Sequence, residues 1–208
     1  MHFYKTPAFI QRLFPGLIWK IKTENKEVYL TFDDGPIPGV PDWVLDTLAE
    51  YDVKATFFVV GENVQNNPVI YSRILEEGHF VGNHTFNHLN PWKHKKSEYI
   101  KNVQRCNHVM NLKEKKRLFR PPHGKLTPGV VRTIKKDHSI IMWDVLTGDY
   151  DSSISNEGCL ENSLQSTSPG SIVVFHDSYK SEKKLKWVLP RYIEDLSQKG
   201  YSFHSMAS

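Results

Sequence analysis

Short apolar runs alternate along this chain with segments in which apolar residues recur every three or four positions. The runs are typical of buried strands, and the second spacing is typical of helices that bury one face. The seven strand candidates are Val28–Phe32, Ala55–Val60, His79–Gly82, Arg117–Arg120, Ile140–Trp143, Ser171–Phe175 and Tyr201–His204. The five helix candidates are Pro41–Glu50, Pro68–Glu77, Ser97–Leu112, Pro128–Lys136 and Lys186–Lys199. This alternation predicts an α/β fold with parallel strands and outer helices.

Polar side chains follow most of the strand candidates at their carboxyl ends, where parallel α/β enzymes place their active sites. These residues are Asp33, Asp34, His84, His88, Arg120, Asp149 and His176. In an open sheet built in chain order, the first and sixth strands would lie about 24 Å apart, at ~4.8 Å per strand. Closure into a barrel would bring all of these ends around one mouth. We therefore predict a barrel rather than an open doubly wound sheet.

The length of 208 residues suits one domain, which we place at residues 26–208 behind an N-terminal segment, residues 1–25. The two cysteines, Cys106 and Cys159, lie in unrelated contexts, which excludes a disulfide framework and a thiolate zinc site. No apolar run approaches the ~18 residues of a membrane-spanning helix, and no secretory signal is visible. We expect a cytoplasmic monomer.

Apolar residues also recur within residues 1–22, interspersed with Arg12 and Lys20. Such a pattern can form a helix that lies on a membrane surface. Pro15 and Gly16 interrupt it, however, so we favour a segment that packs on the barrel.

Positive charge is concentrated between Pro91 and Lys125, where eleven Lys and Arg residues occur with only two acidic residues, Glu98 and Glu114. The whole chain carries a formal charge of only +4, which does not indicate a nucleic-acid partner. The basic sector, residues 91–125, could attract an anionic glycan or an acidic membrane. We favour the simpler interpretation that it forms solvated helix faces.

Two acidic residues, Asp33 and Asp34, directly follow the first apolar strand and precede a Gly35-Pro36 turn. Adjacent carboxylates repel each other unless a metal ion or an arginine compensates them. The spacing of His84 and His88 places two imidazoles on one side of a helical turn. An isolated Asp-Asp pair or an isolated HxxxH is often accidental. Together they predict a site with two histidines and one carboxylate, which suits zinc, cobalt or another first-row divalent ion.

Two further strand ends carry candidate groups. Pro121 and Pro122 stiffen the loop after Arg120, so that the backbone N–H of His123 can face a ligand, although this sequence could also be only a rigid turn. Arg120 is a suitable counter-ion for the carboxylate pair. His176 ends the sixth strand, and Asp149 is a plausible carboxylate to orient it and raise its pKa.

Four motifs, TFDDGP, HTFNH, RPPHG and VFHD, occur in this order, with WDVLTGDYD between the last two. This set resembles the polysaccharide deacetylases with a NodB homology domain, carbohydrate esterase family 4, over roughly Lys26 to Tyr201. The resemblance implies a single distorted (β/α)7 barrel that removes N- or O-acetyl groups from glycans with one divalent metal ion. Zinc is the expected ion, with cobalt, nickel or manganese as alternatives.

The resemblance also implies a role for each matching residue. Asp33 corresponds to the catalytic base, Arg120 to the arginine that braces it, His176 to the catalytic acid and Asp149 to the carboxylate that tunes the acid. The implied metal ligands are Asp34, His84 and His88.

The chain departs from the family pattern at His123, Leu146, Tyr150 and Val174, where Tyr, Asp, Trp and Leu are usual. These departures concern the substrate, and we expect His123, Tyr150, Val174 and Phe175 to contact it. Two alternatives remain open. One is an amidohydrolase of the same barrel type that acts on a non-glycan C–N bond, and the other is a non-catalytic glycan-binding module.

Overall fold

The computed structural model describes residues 4–112 and 117–206, which form eight strands and eight helices. The strands are β1 (Glu27–Asp33), β2 (Thr56–Val59), β3 (Phe80–Asn83), β4 (Arg117–Phe119), β5 (His138–Ile140), β6 (Val145–Leu146), β7 (Ser171–His176) and β8 (Ser202–His204). The helices are α1 (Ala8–Leu13), α2 (Val40–Glu50), α3 (Gly61–Asn66), α4 (Pro68–Glu76), α5 (Lys96–Met110), α6 (Pro128–Ile134), α7 (Asn156–Ser166) and α8 (Glu182–Gln198). Residues 1–3 of the N-terminal segment, residues 113–116 of the basic sector and residues 207–208 of the predicted domain lie outside the described residues.

The strands form one parallel sheet in the order β5-β4-β3-β2-β1-β7-β6, and β8 pairs with the beginning of β1. Strand β1 lies inside the sheet between β2 and β7, where Val28, Leu30 and Phe32 are buried because both faces of a parallel sheet are covered. The helices pack around this curved sheet. The predicted parallel α/β barrel is confirmed as a half-barrel, which agrees with the distorted form that the family resemblance implies.

The distortion lies between β5 and β6, because no strand ladder joins them in the part of the chain that the structure describes. The N-terminal segment runs along this open edge. Its Ile18 donates a backbone hydrogen bond to Ile140 (2.9 Å) and accepts one from Met142 (2.7 Å). On the other side of the gap, Leu146 of β6 donates to the Tyr4 carbonyl (2.9 Å). The segment therefore supplies backbone partners to the two strand regions that border the gap.

Most predicted elements agree with the structure to within a few residues, and the exceptions are short or polar. The predicted strand Ile140–Trp143 is β5, which ends at Ile140, and the two-residue strand β6 was not predicted. Helix α3 has only six residues, and helix α7 has a largely polar sequence, so neither gives a strong apolar period. No helix within the described residues has the length and apolar character needed to cross a membrane.

Aromatic packing fixes the centre of the sheet. The ring of Phe32 stacks on Phe57 at 5.1 Å and on Phe175 at 6.0 Å between ring centroids, and all three side chains are buried. These contacts hold β2, β1 and β7 in register. As a result, Asp33 and His176, the last residues of β1 and β7, are direct partners across the ladder.

Candidate active site

The carboxyl ends of the strands surround a cavity of about 330 Å³. The residues that line it are Asp33, Asp34, His84, His88, Pro121, His123, Trp143, Leu146, Tyr150, Val174, His176, Ser178 and Lys180. Six separate stretches of sequence, each near a strand end, contribute to this lining. The topology therefore brings the predicted polar groups to one mouth.

Asp34, His84 and His88 lie together on one side of this cavity. One carboxylate oxygen and one ring nitrogen from each histidine all lie within 4.8 Å of one another. Asp34 Oδ1 is 3.8 Å from His84 Nε2 and 3.4 Å from His88 Nε2. A carboxylate and two imidazoles at this separation can share one divalent cation, with room for further ligands.

His84 is prepared for this role by its surroundings. Its Nδ1–H donates to the backbone carbonyl of Arg120 at 2.8 Å, and this hydrogen bond leaves the Nε2 lone pair free to face Asp34. Burial lowers the pKa of His84 to about 4, although Asp33 and Asp34 act in the opposite direction. The ring is therefore neutral at physiological pH, which is the state that binds metal ions. These donors fit a metal ion such as zinc.

The prediction that His84 and His88 lie on a helical turn is wrong. Residues 84–88 form an irregular loop in which Thr85 (φ 67°) and His88 (φ 55°) adopt left-handed backbone conformations. Side chains sustain the loop, because Asn83 Oδ1 accepts from the Thr85 N–H (2.7 Å) and Thr85 Oγ1 accepts from the Leu89 N–H (3.0 Å). The two imidazoles converge through this loop rather than through helical periodicity.

Asp34 sits on a strained turn held from two sides. Its φ is 91°, a conformation that L residues rarely adopt, and strain of this kind concentrates at functional sites. Asn63 Nδ2 donates to the Asp34 carbonyl at 2.7 Å. The Gly35 N–H donates to Asp177 Oδ1 at 2.8 Å, and a Cβ at Gly35 would lie only 2.1 Å from Asp177 Oδ2. The turn therefore requires glycine beside Asp34.

Arg120 is completely buried and pairs with Asp33, the other member of the acidic tandem. Its Nη1 donates to Asp33 Oδ1 and to Thr31 Oγ1, both at 2.7 Å. Its Nη2 donates to the Met142 carbonyl at 3.0 Å, and its guanidinium stacks on the Phe58 ring at 4.1 Å. Asp33 Oδ1 is thus fixed by a cation that keeps its proton at any physiological pH, while Oδ2 lies 4.0 Å from His84 Nε2.

His176 forms the opposite side of the cavity with Asp149. Asp149 Oδ1 accepts from His176 Nδ1 (2.8 Å), and its Oδ2 accepts from the His176 backbone N–H (2.7 Å). Burial lowers the pKa of His176, but the charge and hydrogen bond of Asp149, together with the charges of Asp34 and Asp33, outweigh burial and raise the pKa to about 9. The imidazole is therefore protonated at neutral pH and carries a proton on Nε2.

Three of the four residues predicted to contact substrate line the cavity. The His123 ring lies 4.6 Å from that of His88, and the Tyr150 ring lies 4.9 Å from that of His176. Val174, in β7, also lines the cavity. Phe175 does not line it. Because side chains alternate along a strand, Phe175 points to the opposite face of β7, where its ring lies 5.6 Å from that of Tyr192 in the core.

Several residues of the site were not predicted as such. Pro121, Trp143, Ser178 and Lys180 line the cavity, and Asp177 holds the Asp34 turn. Leu146, one of the departures from the family pattern that concern the substrate, also lines the cavity, as expected. Asp177, Ser178 and Lys180 all follow His176 within four residues. Their position at the carboxyl end of a strand is a signal that sequence reasoning could have used.

Comparison with known proteins agrees with this geometry. A sequence model of the polysaccharide deacetylase family matches residues 20–140, more than half of the chain. The chain belongs to this family. The resemblance seen in the sequence motifs is therefore confirmed, and the polysaccharide deacetylases are metal-dependent hydrolases that act on carbon–nitrogen bonds other than peptide bonds.

Among related polysaccharide deacetylases, a peptidoglycan-N-acetylglucosamine deacetylase of Bacillus cereus is 31% identical over 189 residues, covering 89% of this chain and 88% of the relative. A chitooligosaccharide deacetylase of Azorhizobium caulinodans is 30% identical over 176 residues, covering 83% of each. The crystal structure of the Bc1960 peptidoglycan N-acetylglucosamine deacetylase, in complex with a hydroxamate-type benzamide, superimposes with a TM-score of 0.87. It is 30% identical and the match covers 97% of this chain and 95% of that one.

Proposed function

We propose that this polysaccharide deacetylase hydrolyses the N-acetyl group of an amino sugar within an oligosaccharide, a polysaccharide or a glycoconjugate, releasing acetate and a free amine. The placement of Asp33 and His176 on partnered strand ends, flanking the cluster of Asp34, His84 and His88, carries this proposal. The named substrates of its relatives support the choice of an acetylated amino sugar. We assign the catalytic domain to residues 26–208.

Asp34, His84 and His88 would hold the divalent cation, and zinc suits a site of two imidazoles and one carboxylate. When bound, the cation would polarise the acetyl carbonyl and lower the pKa of a water molecule. His84, whose pKa burial lowers to about 4, need not lose a proton at neutral pH when the cation binds. Cobalt, nickel or manganese would fit the same donors.

Asp33 would act as the general base. Arg120 holds Oδ1 at 2.7 Å, which leaves Oδ2 to accept a proton from water. The buried guanidinium offsets the negative charge of the base without competing for its proton, because an arginine does not release one. A base braced in this way keeps its geometry throughout the reaction.

His176 would act as the general acid. Asp149 keeps Nδ1 as a donor, so the proton available for transfer is the one on Nε2. Transfer of that proton to the departing nitrogen allows the amine to leave. With a pKa of about 9, His176 is charged when substrate binds at neutral pH and can be recharged from solvent after turnover.

The backbone N–H of His123 would stabilise the oxyanion that develops on the acetyl oxygen. Within the described residues this N–H has no hydrogen-bond partner, while the following Gly124 N–H donates to Pro121. Pro121 and Pro122 restrict the loop, and His123 has a left-handed φ of 58°. A fixed donor of this kind typically contributes about 10²-fold or more to turnover. Tyr150 and Val174 would contact the acetyl methyl group.

An acetate-release assay with N-acetylglucosamine oligomers tests the proposal. We expect acetate from the zinc-loaded protein, none after treatment with a chelator, and recovery when zinc is added back. His84→Ala should lose both zinc binding and acetate release, because it removes one of three ligands. His108→Ala is the matched control, since His108 is exposed on α5 and does not line the cavity.

Acetate release that is insensitive to chelator, or that survives His84→Ala, would contradict the proposed mechanism. Absence of acetate from every acetylated glycan, together with hydrolysis of small non-glycan amides, would instead support the amidohydrolase alternative.

A further inference from the structure

A lysine lies at the acid side of the cavity and has no role in the steps described above. Lys180 lines the cavity four residues after His176, in the loop that leads into α8. Its Nζ lies 5.5 Å from the centroid of the Tyr150 ring, and that ring lies 4.9 Å from the ring of His176. The ammonium group is therefore held beside the residues that would receive the acetylated sugar.

Two carboxylates of the site have a cationic partner, and a third, Asp34, belongs to the candidate metal cluster. Asp33 pairs with Arg120, and Asp149 pairs with His176. Among residues 4–112 and 117–206, by contrast, no carboxylate lies within 4.0 Å of the Lys180 amino group. Nearby lysines differ in this respect, because Lys184 donates to the Asp151 carbonyl and Lys186 pairs with Glu182. Lys180 thus places an uncompensated positive charge at the cavity.

A second lysine, Lys125, lies near His123, which lines the cavity. Lys125 follows His123 by two residues, and its Nζ lies 4.8 Å from the ring centroid of Trp92, which is exposed. Trp92 is anchored there by its indole N–H, which donates to the Leu126 carbonyl at 3.0 Å.

We propose that Lys180 forms a subsite for an anionic group, a carboxylate or a phosphate, carried by the acetylated sugar or its immediate neighbour. This inference rests on the proposed function and specifies its substrate class. An ammonium group attracts either anion as a point charge, without the two-pronged geometry of an arginine. An exposed pair of this kind changes affinity by about fivefold.

The test compares neutral N-acetylglucosamine oligomers with oligomers whose primary alcohols have been oxidised to carboxylates, and with N-acetylglucosamine 6-phosphate. The measured quantity is the ratio of kcat/KM for each anionic substrate to kcat/KM for the neutral one. We expect Lys180→Gln to lower this ratio about fivefold through KM, and added salt to lower the wild-type ratio in the same direction. Lys180→Arg should restore most of it.

Lys183→Gln is the matched control, because it removes the same charge from an exposed position three residues away that does not line the cavity. The carboxylate and phosphate arms show which anion the subsite accepts. Dissociation constants of the oxidised oligomers for the two variants, measured by calorimetry, should differ by the same factor. An unchanged ratio in Lys180→Gln, or an equal fall of the ratio in Lys183→Gln, would overturn the inference. In that case, acetate release from neutral oligomers would still support the proposed function. If the wild-type protein released no acetate from any of these substrates, both would fail.

Discussion

The two sides of the cavity are built on the same kind of ion pair but differ in the cation. On one side Asp33 pairs with Arg120, whose side chain is fully buried and donates further hydrogen bonds to Thr31 and Met142. On the other side Asp149 pairs with His176, whose side chain is 16% exposed. Arginine does not release its proton in proteins, whereas histidine does so near neutral pH.

This difference separates the two chemical roles. Where the cation is fixed, the carboxylate is the group that exchanges a proton, so Asp33 is suited to act as a base. Where the cation can titrate, the carboxylate orients it and the cation itself can deliver the proton, so His176 is suited to act as an acid.

The largest effects are expected when either proton carrier is removed. Asp33→Asn and His176→Ala should each lower turnover by at least ~10²-fold and leave zinc binding largely intact, because neither residue belongs to the ligand cluster. Turnover would be measured by acetate release and zinc content by elemental analysis. Asp52→Asn is the control for the acidic substitution, since Asp52 is exposed and remote from the cavity. Turnover within tenfold of the wild type in either catalytic variant would refute the assigned role.

Removal of Arg120 should lower the free energy of unfolding more than removal of His176. Arg120→Met leaves the Asp33 carboxylate buried without its partner, which typically costs about 3–5 kcal/mol of unfolding free energy. Urea unfolding of the protein would measure this loss. The double variant Asp33→Asn/Arg120→Met should regain part of the stability, because it removes the uncompensated charge. Equal stabilities of the single and double variants would show that the pair does not act as a unit.

The titration of His176 can be measured by NMR in chelator-treated protein. The His176 ring should lose its proton as the pH rises through about 9. In Asp149→Asn, burial still lowers the pKa of His176, whereas the charge of Asp149, which raises it most, is gone. The pKa of His176 should therefore fall substantially. The alkaline limb of the pH–rate profile should move to lower pH in the same variant, since the acid is then lost earlier. A midpoint near 9 in both proteins would mean that Asp149 does not set the charge of the acid.

The smallest effect concerns a group that supports the fixed pair indirectly. Thr31→Val removes the hydroxyl that accepts from Arg120 Nη1 and donates to the Val173 carbonyl, with little change in volume. We expect a loss of about 1–2 kcal/mol of unfolding free energy, and turnover lowered by less than tenfold. A loss of turnover as large as that of Asp33→Asn would show that Thr31 contributes directly to the chemistry.

Much of the fold was predictable because its signals are local. The apolar runs of β1 and β7 and the apolar periods of α2 and α8 appear in the sequence as they do in the structure. The sheet order was not predictable in this way. The barrel was chosen because chain order would separate the first and sixth predicted strands, yet the sheet pairs β1 directly with β7. That pairing depends on packing between distant segments, such as the contact of Phe32 with Phe175.

The candidate site likewise has one part that could be predicted from the sequence and one part that could not. The metal-ligand candidates and both ion pairs could be recognised from motifs, because each motif ends a strand. The loop of His84 and His88 could not be recognised, since its left-handed residues and the Asn83 hydrogen bond override the helical spacing. Trp143 was missed because its place at the cavity depends on the chain path after β5, which the linear spacing of residues does not encode. Lys180, in contrast, could have been found from its position just after β7.

The central claim is that Asp34, His84 and His88 bind one cation between the base and the acid. A crystal structure of the zinc-soaked protein, with anomalous diffraction at the zinc edge, tests it most directly. We expect one zinc peak per chain, about 2.0–2.2 Å from a carboxylate oxygen of Asp34 and from Nε2 of both histidines. Zinc held by other side chains, with these three donors left apart, would contradict the account.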